Sequence, residues 1–297
     1  MRDGPFGHAE LRIKKKMSKI LIALDQKTSL VRDLASICKD LITDCRDHLF
    51  EALVVKDLSY STTLTTYFKE PAMADQVPAD YGLLTDEDQK KTEVISNFEK
   101  EAHAAGIRYH IHNDFKVTAT ELVKHTTYSD LLILSYQIFF DHINNRPDTS
   151  LLYHVLKGSR CPVLIIPEGA RSVKNIIFTY DGKESSVFAI RAFSSLFGVT
   201  ARDTEVTILT ITPNAEEEIE NEAYLLGLIK QHFNNVGLQL LPGTNISGEI
   251  LNFAQNVEDP LVVMGAYGRS TISNLIIPSV ARRIIEHSKI PLFIAHR

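Results

Sequence analysis

The residues best suited to chemistry lie in the second half of the sequence and have the types that hold a phosphate group. Gly265 and Gly268 allow the backbone to approach an anion closely, and Arg269 adds a positive charge. Ser279 and Val280 fall in the first turn of a predicted helix, where free N–H groups and the helix dipole attract anions. The sequence therefore predicts a phosphate-binding site formed by these five residues.

Two further residues stand at the ends of predicted strands. Asp181 closes the run Asn175–Asp181, and Met264 ends the run Asp259–Met264. A carboxylate at a strand end can accept hydrogen bonds from a ribose or a base, so Asp181 suits a nucleoside. Met264 begins the glycine-containing segment after its strand and is placed in the same predicted nucleotide site. No Ser-His-Asp or Cys-His arrangement can be ordered from the sequence, and we assign no catalytic residue.

The elements that position these residues occur twice along the chain. The apolar run Lys19–Asp25 and the run Asn175–Asp181 both end in aspartate, are 156 positions apart, and are followed by helix-like patterns. The last two apolar runs of each half also match, Ser129–Leu134 with Asp259–Met264 and Cys161–Pro167 with Ile290–His296. Nearly continuous apolar strands that alternate with helices predict parallel sheets covered on both faces. The predicted fold class is α/β, with two tandem, doubly wound, Rossmann-like domains.

The repeat also predicts the domain organisation. Residues 1–16 form a disordered leader, 17–168 the first domain and 171–297 the second, with a short polar connector between them. The stretch 57–86 is rich in Ser, Thr, Pro and Tyr, which indicates a long surface loop or lid with some helix. Gly106 and Gly237 are each interpreted as the end of a helix that precedes a strand.

Composition excludes several classes of protein. The chain has 297 residues, a net charge of −5 and a pI near 6.1, which argues against binding to nucleic acid or to an anionic membrane. Its three cysteines are too few for a disulfide-framed secreted module and suit a reducing cytoplasm. No apolar run reaches the roughly 18 residues that a membrane-spanning helix needs.

The glycine spacing resembles that of the universal stress protein family, whose nucleotide motif is G-x2-G-x9-G-[ST]. Gly265, Gly268 and Ser279 match this motif at both spacings. The resemblance covers about Ser18–Arg297 and implies a tandem, UspA-like member with an adenine nucleotide alpha hydrolase-like fold. It also implies that Asp181 and Ile211 hold the nucleoside and that ATP, with or without magnesium, is the ligand.

The sequence departs from the family motif at two places. Pro278 replaces the third glycine and removes one N–H donor from the phosphate site, although Ser279 and Val280 keep theirs. In the first half, Asp25 keeps the strand-end aspartate, but both glycines are lost and bulky Ile138 stands at the second of them. The first domain is therefore interpreted as a degenerate partner of the second.

Two functions from different classes follow from these features. The first is an adenine-nucleotide-binding stress-response module with little or no turnover, and therefore not an enzyme. The alternative is a nucleotide-independent interaction protein with degenerate sites, or a binder of a small ligand in a cleft under the loop 57–86. Pro278 favours the alternative, whereas the pair Gly265 and Gly268 favours nucleotide binding.

Two other features carry predictions about partners. In the resembled family, single domains dimerise through the last strand. Cys161–Pro167 and Ile290–His296 are therefore expected to pair within the chain as a pseudo-dimer, which is compatible with a further homodimer. His110 and His112 share one face of a predicted strand and suit a metal ion. No cysteine or carboxylate completes the set at a telling spacing, and we assign no metal.

Overall fold

The computed structural model describes residues 18–24, 30–42, 48–55, 82–112, 117–135, 151–170, 172–214, 218–265, 284 and 290–295. Within these residues the strands are β1 Lys19–Leu24, β2 Leu49–Val54, β3 Tyr109–Ile111, β4 Leu131–Ser135, β5 Val163–Ile166, β6 Asn175–Thr179, β7 Glu205–Thr212, β8 Asn235–Pro242, β9 Pro260–Gly265 and β10 Leu292–Ala295. The helices are α1 Leu30–Leu41, α2 Gly82–Ala104, α3 Ala119–Thr126, α4 Leu151–Gly158, α5 Glu184–Phe197, α6 Glu222–Ile229 and α7 Ile246–Gln255.

All ten strands described above join one sheet, in the order β3-β2-β1-β4-β5-β10-β9-β6-β7-β8. Neighbouring strands are parallel except at the centre, where β5 and β10 run antiparallel. Each half of the sheet repeats the same order, because its first strand lies between its second and fourth strands. This order is that of an open doubly wound sheet, and the predicted fold class is confirmed.

Alternate residues of the strands supply two hydrophobic cores, one on each face of the sheet. Ile20 and Ile22 of β1 belong to the core that α1, α2, α5 and α6 cover, whereas Leu21 and Ala23 belong to the core that α3, α4 and α7 cover. Strands β1 and β4 are buried along nearly their whole length because both faces are covered by helices. Aromatic side chains fill the first core, where Phe178, Phe193 and Phe293 are fully buried.

The two halves of the sheet meet through their last strands. Leu164 of β5 pairs with Phe293 of β10, so the strand pairing expected from the sequence is observed. The chain segment that connects the halves is held by α1, because Gly169 N–H donates to Asp33 Oδ2 at 3.1 Å and Val173 N–H donates to Asp40 Oδ2 at 2.8 Å. Because β5 and β10 pair with each other, neither strand leaves unpaired backbone groups at the centre of the sheet.

The two glycines predicted to follow helices lie in different kinds of backbone. Gly106 follows α2 with a φ of +66°, as predicted for a glycine that ends a helix. The same interpretation of Gly237 is wrong, because α6 ends at Ile229 and Gly237 pairs with Thr207 inside β8. Helix α2 begins at Gly82, so the last residues of the predicted loop 57–86 are helical. Residues 56–81 and the leader 1–16 lie outside the described part of the chain.

Candidate functional site

The predicted nucleotide site falls at the point where the strand order of the second half reverses. Strand β6 lies between β7 and β9, and because β6 and β9 are parallel, their carboxyl ends lie side by side. Asp181 follows β6 and Gly265 ends β9, so the fold brings these two motif residues to neighbouring strand ends. Open α/β sheets bind ligands in the crevice outside such strand ends.

The carboxylate of Asp181 is exposed and takes part in the turn that leads into α5. Its side chain is 52% exposed, its Oδ1 accepts a hydrogen bond from Lys183 N–H at 3.2 Å, and its Oδ2 lies 3.3 Å from Lys183 Nζ. The turn continues through Gly182, whose φ of +75° favours glycine. A carboxylate has about four acceptor positions, so these contacts leave capacity for ribose hydroxyl groups.

Gly265 is required by packing between β9 and α5. A Cβ atom at this position would lie 2.4 Å from the backbone carbonyl carbon and oxygen of Ser185 and 2.7 Å from the backbone nitrogen of Ser186. No side chain fits there, because helix backbone cannot yield as a flexible side chain does. The glycine therefore has a structural reason that is independent of any ligand.

The remaining predicted site residues divide into two groups. Met264 is buried in β9, and Ile211 of β7 is half-buried against the core formed with α3, α4 and α7. The other predicted contacts, Gly268, Arg269, Ser279 and Val280, lie outside the described residues. Lys183 was not singled out from the sequence, although its ammonium group lies at the same turn as Asp181.

A second polar cluster lies in the first half of the sheet, on the face covered by α3. Glu51 of β2 is buried, and its Oε1 lies 2.6 Å from His112 Nε2. Its Oε2 lies 2.6 Å from Lys19 Nζ at the start of β1. His125, in the last turn of α3, has its ring centroid 5.0 Å from that of His112. Among the described residues, Glu51, His112 and His125 are the one group of His, Cys, Asp and Glu side chains close enough to share a metal ion.

The electrostatics of this cluster favour an ionised carboxylate. Burial raises the pKa of the Glu51 carboxyl group, but hydrogen bonds and charge from Lys19 and His112 outweigh the burial and hold the pKa below its usual value. Glu51 is therefore an anion enclosed by groups that can donate to it. His112 was singled out from its position on a predicted strand, whereas Glu51, which is 61 residues away, and His125, which lies on a different element, were not.

Comparison with known proteins finds a family match in the second half of the chain and a similar fold over the whole of it. Residues 242–296 match the model of the universal stress protein family. None of the curated proteins searched matches the chain. A solved universal stress protein from Archaeoglobus fulgidus DSM 4304 superposes with a TM-score of 0.67 at 17% identity, covering 93% of this chain and 96% of that chain. A putative universal stress protein from Pseudomonas aeruginosa UCBPP-PA14 gives a TM-score of 0.54 at 14% identity, covering 94% and 93% of the two chains.

At these identities the solved structures show a shared fold, and that fold extends over both halves of the chain. It is the α/β fold of the universal stress proteins, with its large and mostly parallel sheet. Residues 242–296 match the sequence pattern of the universal stress protein family, and Gly265, Gly268 and Ser279 of the predicted motif fall within that match. Over the described residues, no helix combines the length and the apolar character needed to cross a bilayer.

Proposed function

We propose that this chain binds an adenine nucleotide, ATP, at the carboxyl ends of β6 and β9, with little or no turnover. The observation that carries the proposal is the reversal of strand order between these two strands, with Asp181 exposed beside it. Crevices at such reversals are the usual ligand sites of open α/β sheets. In the proposal, Asp181 and Ile211 contact the nucleoside beside Met264.

The phosphate groups are assigned to the motif that follows β9. Gly268, Arg269, Ser279 and Val280 offer backbone N–H groups, a hydroxyl group and one positive charge. Lys183 adds a second cation, since its ammonium group is exposed and lies beside the carboxylate of Asp181. A binding site with these groups and no assigned base or metal carboxylate suits retention of ATP more than rapid hydrolysis.

Calorimetric titration of the full chain with ATP, in the presence and absence of magnesium, tests the proposal. Asp181→Ala is expected to weaken ATP binding about 10- to 100-fold, because hydrogen bonds to a charged group contribute about 1.5–3 kcal/mol. Gly268→Glu should abolish binding by placing a negative side chain where phosphate is expected. Gly265→Ala is unsuitable as a test, because its effect on packing would be confused with an effect on the ligand.

The repeat supplies the matched control. Asp25 ends the corresponding run of the first half, where both motif glycines are missing, so Asp25→Ala should leave ATP affinity within about twofold of the original. A wild-type chain that binds no ATP would contradict the proposal, as would equal effects of the two aspartate substitutions. Phosphate release measured over hours tests the low turnover separately.

The second candidate function is a nucleotide-independent interaction module. It is favoured by an open groove of about 1000 Å³ beside α5 and α6, which Phe188, Leu225 and Tyr224 help to line. Tyr224 is 83% exposed, and large exposed aromatic side chains beside a groove are typical of interaction surfaces. Absence of ATP binding together with a Tyr224-dependent partner would favour this candidate.

A further inference from the structure

Three elements of the first half bring metal-binding side chains together on one face of the sheet. Glu51 lies opposite His110 in the register of β2 and β3, and His112 is two residues further along the same face. Helix α3 crosses that face and places His125 in its last turn. The juxtaposition therefore depends on the fold and not on any short sequence motif.

The carboxylate of Glu51 has one oxygen paired with a cation and the other oxygen beside His112. Lys19 Nζ lies 2.6 Å from Oε2, which compensates the charge of a side chain that is only 9% exposed. Oε1 lies 2.6 Å from His112 Nε2, and the ligand atoms of Glu51, His112 and His125 all lie within 4.8 Å of one another. Lys19 alone is enough to compensate the charge of the Glu51 carboxylate. The presence of two histidines beside the same carboxylate therefore calls for another explanation.

These distances suit a small metal ion. Zinc binds imidazole nitrogen and carboxylate oxygen at about 2.0–2.2 Å, which places tetrahedral ligand atoms about 3.3 Å apart. His112 and Glu51 need to separate by less than about 1 Å, and His125 needs to approach by at most about 1.5 Å, to reach that geometry. Side-chain rotation is sufficient for shifts of this size, since His112 and His125 are both only half-buried.

We propose that Glu51, His112 and His125 form a binding site for a divalent first-row transition metal ion, with zinc as the best-matched ion. Two imidazoles and one carboxylate are a ligand set of zinc sites that keep a fourth position for water, whereas magnesium and calcium prefer oxygen ligands alone. Lys19 then acts as the outer partner that orients the carboxylate through its distal oxygen. The ion would clamp β2, the edge strand β3 and helix α3 together.

Binding of Zn²⁺ to the full metal-free chain, measured by calorimetry without nucleotide, tests the site. We expect one tight equivalent, a rise in melting temperature with added Zn²⁺, and no comparable effect of Mg²⁺. His112→Gln and His125→Gln should each weaken this equivalent about tenfold or more, since even outer partners of a metal ligand contribute tenfold. If His112→Gln impairs folding, the His125→Gln variant carries the test, because His125 lies on the helix surface that faces the strands.

His110→Gln is the matched control. His110 lies on the same strand with its ring centroid 5.3 Å from that of His112, but it is exposed and outside the ligand group. This variant should keep Zn²⁺ affinity within about twofold. The proposal is overturned if the wild-type chain binds no stoichiometric Zn²⁺, if both ligand variants bind as the wild type does, or if His110→Gln loses as much affinity as they do.

The absorption spectrum of bound Co²⁺ gives an independent readout. A four- or five-coordinate site produces visible bands that ions bound loosely at surface histidines do not produce. These bands should appear at one equivalent in the wild type and in His110→Gln, and should be absent in His125→Gln. A wild-type spectrum identical to that of His125→Gln would contradict the assignment of His125 as a ligand.

Discussion

A methyl group at position 265 would bring its carbon atom within 2.4 Å of the Ser185 carbonyl, in the first turn of α5. We expect Gly265→Ala to lower the free energy of unfolding by about 2 kcal/mol, because forced separation of packed backbone has a cost of this order. Denaturant titration followed by circular dichroism measures the change. Nucleotide is left out of this experiment, so the effect reports packing between β9 and α5 alone.

Gly227 provides the matched control in the same half of the chain. It lies inside α6, and a Cβ atom there would meet nothing within 4 Å. Gly227→Ala should raise the free energy of unfolding by about 0.5–1 kcal/mol, since alanine loses less backbone entropy in a helix. A destabilising effect at both glycines would show that the space around Gly265 does not explain its identity.

The thiol of Cys161 should be chemically inert at neutral pH. Burial is the main cause that raises its pKa to about 12; a hydrogen bond with Ser159 opposes this rise and the negative charge of Asp130 adds to it. On the order of 10⁻⁴ of the thiol is then ionised at pH 8, and the thiolate is the nucleophile. Iodoacetamide labelling of the native chain, read by mass spectrometry of the peptide with Cys161, should be far slower than labelling of the urea-unfolded chain.

The same pKa shift fixes the direction of a stability change. The thiol of the unfolded chain has an ordinary pKa of about 9.0, so it ionises at a lower pH than the folded thiol does. Ionisation therefore favours the unfolded state, and this contribution to the free energy of unfolding is fully present below pH 9 and falls as the pH rises towards 12. Equal labelling rates in native and unfolded chains at pH 8 would contradict both statements.

Among the elements, α3 has the clearest local cause for its position. Thr118 accepts a hydrogen bond from Glu121 N–H at 3.3 Å, and the Glu121 carboxylate accepts one from Thr118 N–H at 2.8 Å. This capping box fixes where the helix begins and so where His125 falls in its last turn. Thr118→Ala should lower the free energy of unfolding by about 1 kcal/mol and weaken Zn²⁺ binding.

Thr127 offers a comparison at the other end of the same helix. It is exposed and follows the last helical residue, so Thr127→Ala should change the free energy of unfolding by less than about 0.5 kcal/mol. Thermal and denaturant unfolding of the two variants measure the difference. Equal stability of both variants would show that the capping box does not hold α3.

Elements whose pattern is set by burial could be predicted from the sequence. The apolar run Lys19–Asp25 predicted β1, and Asn175–Asp181 predicted β6, because strands covered on both faces are apolar throughout. The end of α2 just before Gly106 could also be predicted, since the left-handed backbone at Gly106 favours glycine. Gly237 misled because glycine in a strand gives the same local signal as glycine after a helix.

The candidate sites could be predicted only in part, because some of their residues are far apart in the sequence and meet only in the folded chain. Asp181 and Gly265 could be found because a spaced motif and a strand end mark them. The group of Glu51, His112 and His125 could not, since β2, β3 and α3 bring it together only in the folded sheet. The packing role of Gly265 was likewise invisible, because its contact is with Ser185 across the core.

At the level of the whole molecule, the antiparallel pair of β5 and β10 makes a single sheet from two repeated halves. Strand order on either side of this pair is the same, and the outer edges of the sheet are β3 and β8. The proposed metal site lies beside the β3 edge, and the proposed nucleotide site lies in the second half between β6 and β9. Because the sheet is continuous between them, we expect both halves to unfold in one cooperative transition, as a single domain does.

Phe293 tests that cooperativity, because it lies in β10 at the junction of the halves. It is fully buried, with its ring centroid 5.2 Å from that of Phe193 and 6.1 Å from that of Phe197. Phe293→Ala should lower the free energy of unfolding by about 3–5 kcal/mol, because it leaves a cavity in an aromatic cluster. Val199→Ala is the control, because Val199 is 89% exposed and its truncation should change the free energy of unfolding by less than about 0.5 kcal/mol. Tyrosine fluorescence and far-ultraviolet circular dichroism should report the same midpoint in both variants, and separate midpoints would show that the halves unfold independently.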